Sequence, residues 1–183
     1  MARSDEPKIV NFRTDYASRA DFCEVLERDL KPLYLLAFLL TADHNKAEQC
    51  FIATVEQALD RPAVFKEFAR SWIKRSLINR AIGVVCPTSA SSTEIRDLWT
   101  TRESSAGGED EINAVTQFPP LERFVFVMSI LESYSDWECS LLIGCTTKDV
   151  AEARRRALRK ISGSVGLIPR VEPQGSRFVG IPA

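Results

Sequence analysis

Six cations lie between residues 147 and 161, namely Lys148, Arg154, Arg155, Arg156, Arg159 and Lys160, against only Asp149 and Glu152. The local charge is +4 in a chain whose net charge is −1. Guanidinium and ammonium groups at that density suit the neutralisation of phosphates along a nucleic-acid backbone. At about 100° per residue, Val150, Ala153, Ala157, Leu158 and Ile161 share one helical face. Lys148, Arg155, Arg156, Arg159 and Lys160 fall broadly on the other. Arg154 falls inside the apolar stripe, where it must snorkel outward or find a carboxylate, with Glu122 and Glu132 as candidates. An ordinary basic surface helix would show the same charge bias.

A second basic run, FKEFARSWIKRSLINRAI at 65–82, carries Lys66, Arg70, Lys74, Arg75 and Arg80 against Glu67, again +4. Trp72 sits among these cations and Asn79 follows. Separated nucleic-acid strands need cations for phosphates and aromatic faces for unstacked bases, and this run supplies both types. Trp72 also shares a helical spacing with Phe65, Phe68 and Leu77, which fits a core position. The candidate DNA contacts are therefore Lys148, Arg155, Arg156, Arg159 and Lys160, with Arg70, Trp72, Lys74, Arg75, Asn79 and Arg80.

The elements that must position these groups read as helices. Ser135 and Glu138 have capping-box spacing, Gly144 suits a left-handed helix end, and Thr146 with Asp149 repeats the cap. Two capped helices joined by so short a turn predict a helix-turn-helix whose second helix is the basic one. Upstream, Ser18 with Asp21 caps a first helix and Pro32 breaks or kinks it, leaving Pro32 in the first turn of a continuation through Leu40. Thr41-Ala42-Asp43 reads as a turn with Asp43 capping a helix from about Asn45 to Leu59. Arg61-Pro62 is a break, and another helix is expected over 63–84. No strand of convincing length appears.

Residues 87–118 carry six acidic and two basic residues and are rich in Ser, Thr and Gly, a linker composition centred near 104–108. The expected fold is all-α: a helical domain over 1–85, an acidic flexible linker over 86–118, a helix-turn-helix domain over 119–163 and a tail over 164–183. Five cysteines form no Cys-x-x-Cys pair and His44 is the only histidine, so no metal site, cofactor or catalytic residue is expected. The N-terminus lacks a signal-like apolar core, and the apolar stretch Leu33 to Leu40 is too short to span a bilayer. A cytoplasmic protein is expected.

Pro119, Leu121, Glu122, Arg123, the apolar run to Leu131, Glu132, Ser135, Glu138, Leu142, Gly144, Val150 and Arg156-Ala157 follow a recognisable order. That order resembles region four of bacterial RNA polymerase sigma factors of the extracytoplasmic-function group. Leu33-Tyr34, Ala37-Phe38, Thr41, Asp43, Ala47-Glu48 and Leu59 resemble the start of region two of the same family. The resemblance implies a transcription initiation factor with two partners, core RNA polymerase and promoter DNA, and admits an inhibitory anti-sigma protein. It also implies that Asp43, Glu48 and Gln49 face the polymerase, and that the final helix meets the upstream promoter element. The chain departs from the pattern at Gln49 and Ile52, and at Ala151 and Ala153 where the family commonly places cations.

Two alternatives use the same residues. One is a sigma-derived protein-interaction module without initiation activity, suggested by the apolar residues near Ile52 and the nearly all-round apolar run Phe124 to Leu131. The other is a stand-alone helix-turn-helix repressor built on 119–161.

Overall fold

A computed structural model describes residues 16–60, 63–86 and 111–164. The described residues form an all-α structure of seven α-helices with no strand, only an isolated Tyr16–Phe65 bridge. The expected Arg61-Pro62 break, the centre of the acidic linker and most of the tail lie outside the described residues.

Helix α1 (Arg19–Thr41) begins at a complete Ser18/Asp21 capping box. Its backbone leaves helical geometry at Asp29 (φ −104°, ψ 15°), three residues before Pro32. The proline ring crowds the preceding turn and supplies no N–H, so a kink there is expected. Phe22, Leu26, Leu33, Leu36, Ala37 and Leu40 recur at helical spacing and are buried. Ala42 then turns left-handed (φ 54°), and Asp43 caps α2 (His44–Leu59) by accepting from the Lys46 N–H at 3.0 Å.

A 3-10 turn (Lys66–Phe68) leads into α3 (Ala69–Val85), so the helix expected from residue 63 starts later. The reason is a backbone contact: Ala17 N–H donates to Val64 O at 2.8 Å, and Tyr16 stacks on Phe65 at 4.8 Å. Helices α1, α2 and α3 pack on one another around Phe22, Leu33, Leu40, Ile73, Leu77 and Ile78, all essentially without exposure.

Part of the segment expected to be linker is ordered: α4 (Glu111–Thr116) packs on α1 and α7, with Val115 and Phe118 buried. Two apolar side chains hold this turn against the core despite the polar composition around it. Helix α5 (Pro120–Phe126) runs into a wide turn, Val127–Leu131, closed by Glu132 N–H donating to Val127 O at 3.0 Å. Phe124 to Met128 are buried on every side because α1, α6 and α7 surround this segment. Its all-round apolar character thus reflects a central position; only Ile130 and Leu131 stay exposed.

Helix α6 (Asp136–Ile143) has the Ser135/Glu138 capping box and ends at left-handed Gly144 (φ 77°). Helix α7 (Thr147–Ser164) follows at once, with Asp149 N–H donating to Thr146 Oγ1 at 3.1 Å and Asp149 Oδ2 accepting from the Thr146 N–H at 3.2 Å. Buried side chains of α1–α3 and of α4–α7 belong to one apolar cluster.

Arg123 joins the two sets of helices. Its guanidinium is buried and donates to the carbonyls of Leu40 (3.1 Å), Thr41 (3.5 Å), Thr116 (3.2 Å) and Phe118 (3.1 Å). These are orphan carbonyls at the C-terminal ends of α1 and α4, where a cation also meets the negative pole of the helix dipole. Burial pulls the Arg123 pKa down to about 10, so it stays charged at neutral pH.

Candidate nucleic-acid interface

Arg70, Lys74 and Arg75 of α3 line a cleft of about 670 Å³. One wall holds Phe68, Arg70, Ser71, Trp72, Lys74 and Arg75; the other holds Glu132, Ser133, Tyr134 and Glu138. The capping box of α6 fixes the second wall, because Glu138 accepts from the Ser135 backbone N–H at 2.8 Å. That hydrogen bonding, more than the nearby Arg75, draws the Glu138 pKa below its ordinary value. Burial pushes the Tyr134 phenol up, so it remains a neutral hydrogen-bonding ring.

Two of the three cleft cations already hold carboxylates. Arg70 Nε donates to Asp29 Oδ2 at 2.5 Å, and Lys74 Nζ bonds Glu132 Oε2. The kink in α1 turns Asp29 toward α3, and the Arg70 bond lowers the Asp29 pKa against the opposing effect of burial. Arg75 and Asn79 are exposed, and Arg80 reaches only Gln57, at 3.5 Å. Trp72 is half-buried and packs edge-on against Phe22 with ring centres 5.7 Å apart. Its core position leaves only part of the ring for the cleft.

Helix α7 divides its cations into an anchoring set and an outward set. Glu122, buried on α5, accepts from Arg156 Nε at 3.1 Å and from Lys160 Nζ at 2.5 Å. Lys160 also lies 5.7 Å from the Phe118 ring centre. These two side chains clamp α7 to the scaffold as well as carrying charge. Arg154 pairs with Asp136 through two hydrogen bonds, 2.5 and 3.1 Å, and not with either expected carboxylate. Glu122 and Glu132 are engaged by other cations, and Asp136 on α6 faces the stripe directly. Leu158, expected on the buried face, is 40% exposed because it falls at the stripe's edge.

Lys148, Arg155 and Arg159 are exposed and lie within an arc of about 40° on α7, with Glu152 among them. They form a solvent-facing strip of three cations and one anion, suited to phosphate contact. At the N-terminal end, where base-edge readout would occur, Asp149 serves the helix cap.

The residues nominated for polymerase contact sit elsewhere, at the start of α2. Asp43 is the α2 cap, while Glu48 and Gln49 are exposed next to an exposed Ile52. Among the described residues no group of His, Cys, Asp and Glu could hold a metal ion. Burial raises the thiols of Cys86, Cys139 and Cys145 to about 11, which keeps them protonated at neutral pH. No described helix is long and apolar enough to cross a membrane.

Glu132, Tyr134, Glu138 and Phe68 complete the cleft, and sequence reasoning did not nominate them for it. Only the capping spacing at Ser135 hinted that Glu138 has a fixed place. No family model matches the chain, and no curated protein matches it significantly.

Proposed function

We propose that the chain is a sigma-factor-like transcription initiation factor, in which α6 and α7 act as a helix-turn-helix on duplex DNA and α3 meets separated promoter strands. The observation that carries this reading is the outward strip Lys148, Arg155 and Arg159 on a helix entered through a capped, glycine-ended turn. The cleft supports the second half, since it gathers Arg70, Lys74 and Arg75 beside the aromatic rings of Phe68 and Trp72. Polymerase would engage the α2 surface around Glu48 and Gln49. In this reading the helices before and after the acidic segment act as two units of one promoter grip. Chemistry belongs to the polymerase, and this chain supplies placement. The test is run-off transcription with purified core polymerase: a promoter-dependent transcript is expected only when this protein is added. Absence of both core binding and transcript overturns the reading.

A second reading has its own observation. Trp137 and Leu141 are 64% and 58% exposed, one turn apart on α6. Such a pair favours a protein-interaction module, which would bind a non-polymerase protein without salt-dependent DNA affinity.

A further inference from the structure

We propose that Glu132 is a built-in competitor for phosphate, masking Lys74 in the cleft beside α3 until single-stranded nucleic acid displaces it. This rests on the reading of α3 as a strand-binding surface. The Lys74–Glu132 bond joins residues 58 apart, with the two side chains only 25% and 16% exposed. Glu132 therefore occupies the position at which a backbone phosphate would neutralise Lys74. A carboxylate and a phosphate are both oxyanions, and one ammonium in the wall of a cleft cannot serve both fully. Glu138 lies on the same wall, close enough to Arg75 to feel its charge.

The backbone at Glu132 supplies a second, independent observation. Glu132 directly follows the wide turn Val127–Leu131, and Ser133 adopts φ 60°, a left-handed conformation that costs a non-glycine residue energy. Tyr134 N–H donates to Met128 O at 2.9 Å, closing this irregular reversal. A regular continuation of α5 would not bring the chain back in this way. The reversal delivers Glu132, Ser133 and Tyr134 to the cleft together. Wide helical turns of this kind recur at functional sites, and this one places a carboxylate on Lys74.

The test is binding of a fluorescein-labelled oligodeoxythymidylate to the full chain at low salt, followed by anisotropy. E132Q keeps the side-chain size and removes the competing charge, so affinity is expected to rise about fivefold or more. The double variant K74Q/E132Q should lose that gain, because the freed ammonium is what the phosphate meets. Thermal denaturation checks that each variant is folded. Should E132Q not fold, E132D withdraws the carboxylate by one methylene and is expected to raise affinity less. Affinity of folded E132Q or E132D equal to or below wild type overturns this role of Glu132. If duplex binding then still depends on Arg155 and Arg159, the proposed function stands and the role of Glu132 alone falls. If no variant binds any nucleic acid, both fall.

Discussion

On α3, Arg70 (54% exposed) and Lys74 (25% exposed) meet carboxylates that lie 41 and 58 residues away in the chain, whereas on α7 the exposed Lys148, Arg155 and Arg159 form no ion pair among the described residues. The basic runs that contain these two helices carry the same net charge, +4 over 65–82 and +4 over 147–161. Their availability differs because Arg70 and Lys74 face carboxylates of other segments, while Lys148, Arg155 and Arg159 face solvent. Even α7 is not uniform: Arg156 and Lys160 are held by one buried glutamate. Charge counted along a sequence measures potential for phosphate binding, while long-range pairing decides how much of it can be used.

The largest expected effect removes the joint between the two sets of helices to which α3 and α7 belong. R123M deletes a buried guanidinium that serves four backbone carbonyls and leaves those groups without donors. Chemical denaturation should show a loss of about 3 kcal/mol or more. A loss below about 1 kcal/mol would mean that water reaches these carbonyls and that Arg123 is not the joint.

A smaller effect separates anchoring from outward cations within α7. R156Q/K160Q leaves Glu122 buried without its two partners and should destabilise by about 1–3 kcal/mol. R155E/R159E should leave stability within about 0.5 kcal/mol of wild type, since both positions are exposed. Equal stability of the two double variants would dissolve the distinction between the sets.

Two of the three left-handed residues, Gly144 and Ala42, give a still smaller, mirror-image pair. G144A places a Cβ at φ 77° with no compensating contact and should cost about 1 kcal/mol. A42G relieves the same strain at φ 54° and should stabilise by up to about 1 kcal/mol, read by thermal melts.

Acid should act through Asp29 on the α3 side and Glu138 on the opposite wall. Both folded pKa values lie below the ordinary 3.8 and 4.5, Asp29 chiefly through Arg70 and Glu138 chiefly through Ser135. A lowered pKa gives stability that is fully present above the ordinary value and is lost as pH falls through the folded one. Melting temperature should thus hold from about pH 8 to 5 and drop below about pH 4. D29N, in which nothing titrates at this position, should show a shallower acid drop.

What could be read in the sequence was local. The caps at Ser18, Asp43, Ser135 and Thr146 and the left-handed Gly144 depend on neighbours three or four residues away, and the structure places each as expected. The apolar positions Val150, Ala153 and Ala157 followed from helical periodicity alone and are fully buried. What could not be read was set by distant partners. Nothing near Arg154 specifies Asp136 over Glu122 or Glu132, and nothing near Lys74 specifies Glu132. The helix Glu111–Thr116 was masked by acidic, Ser-rich surroundings, although Val115 and Phe118 were its signal. Trp72 satisfied two patterns at once, and contact with Phe22 accounts for its half-buried state.

A salt titration of duplex binding decides whether the outward cation strip of α7 meets DNA. Wild type and R155E/R159E would be compared on the same fluorescent duplex. Each phosphate contact contributes roughly −0.9 to the slope of log affinity against log salt. Wild type is expected to bind in a salt-dependent way, and the variant to show a slope shallower by about two units. Identical slopes, or a wild type that binds no duplex at low salt, would contradict DNA contact by the strip.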